Sequence, residues 1–167
     1  MMRDGAPKTI HRKDYQAPVY TVNTVELGFS IFDGYTLVDS RLELERTVDH
    51  AEPLVLDGVE LSIEQLVLDG NALGEADYSY DGRQLTIYRV GPKAILSTRV
   101  RIQPEQNASL EGLYRSRTIY CTQCEAEGFR KITFYPDRPD VLAVFTVTVE
   151  ADAATCPVLL SNGNLTD

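Results

Sequence analysis

The sequence contains no long apolar segment. A helix that crosses a membrane needs roughly 18 or more consecutive apolar residues, and no such run occurs in the 167 residues. The first 18 residues also lack the apolar core of about 7–15 residues that marks a signal peptide. These absences predict a cytoplasmic protein.

Cysteine and basic residues are also scarce. The three cysteines, an odd count, do not suggest a disulfide framework. Lys and Arg number 16 against 25 Asp and Glu, which gives a formal net charge of -9. Nucleic acids and anionic membranes bind clustered Lys and Arg, so neither is expected as a partner. A length of 167 residues fits one domain, and the hydrophobic fraction of 43% is ordinary for a globular protein.

Catalytic and metal-binding motifs are missing as well. The sequence has no G-x-S-x-G, no Gly-rich phosphate loop and no H-E-x-x-H. Cys121 and Cys124 form a C-x-x-C, but a structural zinc site needs a second pair of ligands, and a redox pair of this type begins a helix. His11 and His50 are expected at the surface. We therefore expect no catalytic residue and no metal site in this chain.

The pattern that is present is that of β-strands. Apolar and polar residues alternate over 19–32 and 36–48, and Asp33-Gly34 between them is a hairpin signal. Asp81-Gly82 gives a second hairpin signal. Further strands are predicted at 54–56, 60–68, 78–80, 84–90, 93–102, 145–149 and 157–160. Asp137 or Asp140 is expected to cap one helical turn through Val144.

The fold class predicted from this pattern is all-β, an antiparallel saddle-like or sandwich domain with little helix. Residues 1–18 are polar and bounded by proline, and are predicted to be a flexible N-terminal segment. Residues 19–167 then form a single β domain. The polar stretch at 104–109 is expected to be a loop.

Chemically, the most informative stretch is Gln123 to Arg130. If it is extended, Gln123, Glu125 and Glu127 share one face, because successive side chains of a strand alternate. Carboxylates this close repel one another unless a cation is nearby, so the stretch indicates a site for a positively charged group. A solvated edge strand is the alternative that these residues leave open.

Three segments read LEGLYRS, then YCTQCEAEGFRKITFYPDRPDVLAVFTVTVEAD, then PVLLSNGN. Together they resemble the N-terminal domain of the bacterial zinc aminopeptidase N family, and the resemblance extends over the chain from about Lys13. It implies a zinc-dependent exopeptidase that removes N-terminal amino acids from peptides. Zinc would be bound by a catalytic domain outside this chain. The expected partners are that catalytic domain and peptide substrates.

The resemblance also implies roles for two residues. In this family the N-terminal domain reaches into the cleft with a Gln and a Glu separated by one residue, and these match Gln123 and Glu125. They are expected to bind the free α-amino group of the substrate. Glu127 has no such role and is expected to pair with Arg130 or Arg138. The chain by itself is expected to be catalytically inactive, and to expose an apolar patch where the catalytic domain would pack.

Two interpretations of a different class remain open. The chain could be a stand-alone β-sandwich binding or interaction module without peptidase activity, or a small zinc or redox protein that uses Cys121 and Cys124. A gene that continues for several hundred residues and encodes H-E-x-x-H favours the enzyme. Stoichiometric metal in elemental analysis would favour the zinc protein.

Overall fold

A computed structural model describes residues 11–166 of the chain. Within them nearly all of the regular secondary structure is strand, which confirms the all-β prediction. The strands are β1 (Tyr20–Phe32), β2 (Tyr35–Arg46), β3 (Leu54–Asp57), β4 (Ser62–Leu68), β5 (Asn71–Ala72), β6 (Tyr78–Tyr80), β7 (Gln84–Ile87), β8 (Lys93–Ile102), β9 (Gly112–Ser116), β10 (Ile119–Gln123) and β11 (Val144–Ala151). Two 3₁₀ turns, Arg12–Asp14 and Phe129–Lys131, are the helical elements of this part of the chain.

The largest sheet has six strands in the order β11-β1-β2-β8-β4-β5. Neighbouring strands are antiparallel except for β1 and β11, which are parallel. The β1–β2 hairpin turns at Asp33-Gly34 as predicted, with Gly34 at φ +81°, a region that glycine enters without steric cost. Alternate residues of β2 and β8 are buried, so one face of this sheet covers the core.

Two smaller sheets complete the domain. β3, β7 and β6 form an antiparallel sheet whose β6–β7 hairpin turns at Asp81-Gly82, again as predicted. β9 and β10 form a two-stranded hairpin. The fully buried Phe134 lies edge-on to Tyr80 of β6, with ring centroids 5.1 Å apart, and so packs the chain that follows the hairpin against the three-stranded sheet.

Two predicted elements are wrong. The helical turn through Val144 does not form, because Asp137 accepts hydrogen bonds from Gly128 and Arg130, and Asp140 binds Arg138, so neither is left as a cap. Residues 157–160 pair with no strand of the described chain, and their apolar side chains are exposed rather than buried.

The N-terminal segment is described only in part. Residues 1–10 of the predicted flexible segment, and residue 167 of the predicted domain, lie outside the described residues. Residues 11–17 are exposed and include the first 3₁₀ turn. Between residues 11 and 166, no helix has the length and apolar character needed to cross a membrane.

Candidate functional site

The β9–β10 hairpin presents the two residues predicted to bind substrate. Gln123 is the last residue of β10, lies opposite Gly112 of β9, and is exposed. Glu125 follows in a bend over residues 125–127 and is also exposed; the Glu125–Ala126 peptide bond is cis. The prediction of an extended segment through Glu127 is therefore wrong. The strand ends at Gln123, and the three polar residues do not share one strand face.

The loop that carries Glu125 is narrow at its base because two glycines meet there. Gly128, at φ +145°, is so placed that a Cβ atom on it would lie 2.8 Å from the carbonyl oxygen of Gln123. Gly112, at φ +71°, would place a Cβ atom 2.7 Å from the Cβ of Lys131 and 3.0 Å from the carbonyl oxygen of Gly128. Both positions require glycine, since any side chain would push the two ends of the loop apart.

A buried carboxylate holds the returning end of this loop. Asp137, whose side chain is 8% exposed, accepts hydrogen bonds through Oδ2 from the backbone N–H of Gly128 at 2.9 Å, from that of Arg130 at 3.2 Å and from Arg130 Nε at 2.7 Å. Burial disfavours the charged form of Arg130 and lowers its pKa. The hydrogen bond and charge of Asp137, with the charge of Glu127, outweigh burial, so the pKa of Arg130 is raised.

Glu127 and Glu125 differ in their partners. Glu127 Oε2 lies 3.0 Å from an Arg130 guanidinium nitrogen, which confirms the predicted ion pair. Glu125 forms no ion pair with any residue between 11 and 166. Its carboxylate thus keeps an uncompensated charge at the surface, open to a cation from outside the described chain.

Comparison with known proteins identifies the family. The sequence model of the Peptidase M1 N-terminal domain matches residues 24–167. The chain belongs to this family. The resemblance drawn from the sequence is confirmed: the chain is 42% identical over 163 residues to aminopeptidase N of Caulobacter vibrioides, covering 98% of the chain and 19% of that relative. It is 38% identical over 158 residues to aminopeptidase N of Escherichia coli K12, covering 95% of the chain and 18% of that relative.

Solved structures agree with the fold. Aminopeptidase A of Legionella pneumophila, in complex with aspartic acid, superposes with a TM-score of 0.87 at 29% identity, over 93% of this chain and 19% of that one. An M1 zinc metallopeptidase of Deinococcus radiodurans gives 0.65 at 19% identity over 80% of this chain and 33% of that one, a likeness of fold alone. The chain spans about a fifth of the length of the aminopeptidases N that it matches.

The cysteines of this M1 N-terminal domain are free thiols. Cys121, Cys124 and Cys156 are all partly buried. Burial, with a smaller contribution from the charge of Asp137, raises the pKa of Cys124 to about 11. Since the thiolate is the form that binds metals and exchanges disulfides, Cys124 is suited to packing at neutral pH. No group of three or more His, Cys, Asp or Glu side chains within residues 11–166 is arranged to hold a metal ion.

The two histidines lie at the surface, as predicted. His50 is exposed and its Nε2 lies 3.0 Å from Glu52 Oε1, at the loop between β2 and β3. His11, at the edge of the described chain, is exposed too. Neither lies in the loop that carries Glu125.

The loop that precedes β9 also holds the β9–β10 hairpin through side-chain hydrogen bonds. The hydroxyl of Tyr120, in β10, donates a hydrogen bond to Glu105 Oε1 in the preceding loop. Burial, followed by the hydrogen bond and charge of Glu105, raises the pKa of Tyr120 to about 12. Asn107 of the same loop donates to the carbonyl oxygens of Glu111 and Leu113, at 2.7 and 2.9 Å, on the β9 side.

Sequence patterns did not reveal the anchors Asp137, Glu105, Gly112 and Gly128. Both glycines have positive φ, Gly112 at the start of β9 and Gly128 where the loop ends. An isolated glycine in the sequence indicates such a backbone conformation but does not say that two of them meet. Asp137 lies between two prolines, in a segment that indicated a turn but not the loop it would hold. Gln123 and Glu125, the residues predicted to bind substrate, could be chosen from a motif, whereas the residues that hold their loop could not.

Large apolar side chains are exposed after residue 140. Leu142 is 83% exposed, Val144 70% and Leu160 88%. Phe145, of β11, is 44% exposed and packs edge-on against Phe129 with ring centroids 5.8 Å apart. Apolar surface of this kind is common where a domain meets another chain segment.

Proposed function

We propose that this domain is part of a zinc-dependent aminopeptidase and that Gln123 and Glu125 bind the free α-amino group of the peptide substrate. The aminopeptidase names of relatives at 42% and 38% identity support the enzyme class. The match to the Peptidase M1 N-terminal domain, together with the resemblance to the zinc aminopeptidase N family, supports the metal. Described residues offer no ligand group for zinc, so we assign the metal, which would supply an activated water, to polypeptide outside this chain.

The chemistry of the pair matches an ammonium group. A free α-ammonium has one positive charge and three hydrogen-bond donors, so it requires an anion and further acceptors. Glu125 supplies the anion and Gln123 a neutral amide oxygen, two residues apart. A hydrogen bond between charged groups contributes about 1.5–3 kcal/mol, which is roughly tenfold to a hundredfold in binding.

The observation that carries the proposal is the unpaired state of Glu125. Its neighbour Glu127 is compensated by Arg130, whereas Glu125 has no cationic partner among residues 11–166. A substrate with a blocked amino end would leave this carboxylate without a counter-charge at the moment it is desolvated. The arrangement thus favours substrates with a free amino terminus, which defines an exopeptidase.

Steady-state kinetics of the enzyme that carries this domain test the proposal. Glu125→Gln keeps the shape and removes the charge, and is expected to lower kcat/KM for peptides with a free amino end by about tenfold or more. Gln123→Ala removes a neutral acceptor and is expected to cost about 2–10-fold. Glu75, an exposed carboxylate in the loop between β5 and β6, provides the control Glu75→Gln. A change of less than about twofold for Glu125→Gln would remove this residue from the site.

The isolated chain is proposed to be inactive. Its role is to bind and orient the amino end, while bond cleavage is assigned to the catalytic domain outside the chain. The exposed apolar side chains at Leu142, Val144 and Leu160 support a contact with that domain, because leaving them in water is unfavourable. Peptidase activity of the purified 167-residue chain, measured against a buffer blank, would contradict this part of the proposal.

A further inference from the structure

The loop from Cys124 to Gly128 has side-chain support on either side of Glu125 but not at Glu125 itself: Cys124 packs against the core and Glu127 pairs with Arg130. Glu125 and Ala126 are exposed, and Glu125 has no ion pair among the described residues. The position of the Glu125 carboxylate is therefore set by the backbone of the loop. That backbone is fixed where the loop leaves β10 and where it returns at Gly128.

The leaving end is fixed by strand pairing. Gln123 lies opposite Gly112 in the β9–β10 hairpin. The return end is fixed by Asp137, whose Oδ2 accepts the backbone N–H of Gly128 at 2.9 Å and that of Arg130 at 3.2 Å. One carboxylate oxygen of Asp137 thus holds both Gly128, three positions after Glu125, and Arg130 in the 3₁₀ turn Phe129–Lys131.

Asp137 is itself tied to the core. Its backbone N–H donates to Asp57 Oδ2 at 3.1 Å, and Asp57, the last residue of β3, pairs with Tyr135 through two backbone hydrogen bonds of 2.8 and 3.1 Å. The three-stranded sheet therefore connects to the Glu125 loop through Asp57 and Asp137. A displacement of the Asp137 carboxylate would move the loop relative to this sheet.

Arg130 binds both Asp137 and Glu127. Its Nε donates to Asp137 Oδ2 at 2.7 Å, a terminal nitrogen donates to the Asp137 carbonyl oxygen at 3.0 Å, and the guanidinium pairs with Glu127. Asp137 and Glu127 are compensated by this one cation. Of the three carboxylates, Glu125 is the one without a cationic partner in the described part of the chain.

We infer that Asp137 is a positioning residue of the substrate amino-end site: by holding the backbone N–H groups of Gly128 and Arg130, it sets where the Glu125 carboxylate stands. The inference rests on the function proposed above. Asp137 does not touch the substrate and acts only through Glu125. A misplacement of about 1 Å in a reacting or binding group can reduce the rate by as much as about a hundredfold.

Two variants of the peptidase that carries this domain separate position from charge. Asp137→Asn removes the charge but keeps an oxygen that can accept both backbone N–H groups, so kcat/KM is expected to stay within about threefold. Asp137→Glu keeps the charge but lengthens the side chain, which shifts the carboxylate and is expected to lower kcat/KM about tenfold or more, mainly through KM. Asp81→Glu, at a hairpin carboxylate that likewise accepts two backbone N–H groups at 2.8 and 2.7 Å, is the matched control and should change little.

A double-mutant cycle with Glu125→Gln then distinguishes the two proposals. If Asp137 acts through Glu125, Asp137→Glu adds no more than about twofold once Glu125 is replaced. If the losses multiply, or if Asp137→Asn is as damaging as Asp137→Glu, the positioning role is wrong while Glu125 keeps its place. If Glu125→Gln alone has no effect, the proposed function itself fails. Asp137→Ala takes the place of Asp137→Glu in the cycle if the longer side chain prevents folding.

Discussion

Gly112 and Gly128 approach one another so closely that a Cβ atom on Gly112 would lie 3.0 Å from the carbonyl oxygen of Gly128. The first residue of β9 and the last residue of the Glu125 loop thus meet backbone to backbone. This contact closes the base of the loop and leaves its tip, with Glu125, projecting to solvent. The site depends on two residues that have no side chain.

Replacing Gly112 by alanine is expected to destabilise the domain. Positive φ costs a non-glycine residue about 1–2 kcal/mol, and the contact with Lys131 and Gly128 adds overpacking of about 1–3 kcal/mol. Gly34 has a similar φ, +81° against +71°, but a Cβ atom on it would meet no atom within 4 Å. Gly34→Ala is therefore the control that shows backbone strain alone. Urea unfolding of the 167-residue chain measures both; equal losses for the two variants would show that the close contact is unimportant.

Removing Arg130 is expected to cost more stability than removing an exposed arginine whose ion pair has the same length. Arg130→Ala leaves Asp137, 8% exposed, without its cation; this costs about 3–5 kcal/mol in a fully buried pair and, because Arg130 is partly exposed, about 2–3 kcal/mol here. Arg99 forms an ion pair of the same 2.7 Å length with Asp39, with both side chains about half exposed. Arg99→Ala should cost about 0–1 kcal/mol. Chemical denaturation compares them, and similar values would show that the burial of Asp137 does not add to the cost of losing its cation.

Stability is expected to fall at alkaline pH. The folded state raises the pKa of Cys124 from 9.0 to about 11 and that of Tyr135 from 10.0 to about 12, in both cases chiefly by burial and secondarily by the charge of Asp137. Above about pH 9 the unfolded chain therefore releases protons that the folded chain retains, so the free energy of unfolding decreases as pH rises from about 9 towards 12. Well below about pH 9 both groups are protonated in the folded and the unfolded chain, so they do not make the free energy of unfolding depend on pH.

Cys124→Ala tests the thiol part of this dependence. The variant should lose less stability than the parent between about pH 8 and 11, because the thiol no longer ionises in the unfolded chain. Urea midpoints measured at several pH values give the two slopes. Identical slopes would mean that Cys124 is not held in its neutral form.

The exposed leucines after residue 140 are expected to matter for association and not for folding. Leu142→Ser and Leu160→Ser change side chains that are 83% and 88% exposed, and should alter the free energy of unfolding by less than about 0.5 kcal/mol. Leu42→Ala, in the fully buried core, should cost about 2–5 kcal/mol. Light scattering should show self-association of the chain that both serine variants reduce; unchanged scattering would contradict a docking role for this surface.

Local signals explain why the strands and hairpins could be predicted. Asp33-Gly34 and Asp81-Gly82 both turn hairpins, and the alternation in β2 and β8 reports which face is buried. The parallel pairing of β11 with β1, at Thr24 opposite Val144, joins segments far apart in sequence, and no local pattern specifies it. An apolar run such as 157–160 predicts a buried strand wrongly, because hydrophobicity does not say which surface will cover it.

The site was predictable in part. The residues Gln123 and Glu125 could be chosen from their match to a family motif, and that choice stays a prediction. The bend at 125–127 could not, because the loop is held at Gly128 by Gly112 and Asp137, which lie elsewhere in the chain. The alternation of side chains predicted an extended strand through Glu127, whereas β10 ends at Gln123 and residues 125–127 form a bend.

The most direct test of the account is the preference for a free amino group. In the peptidase that carries this domain, inhibition constants are measured for an amino acid amide and for its des-amino analogue, which lacks only the ammonium. If Glu125 binds that ammonium, Glu125→Gln should reduce the ratio of the two constants by about tenfold or more, while Glu75→Gln leaves it unchanged. A ratio that is the same in Glu125→Gln as in the parent enzyme would contradict the account.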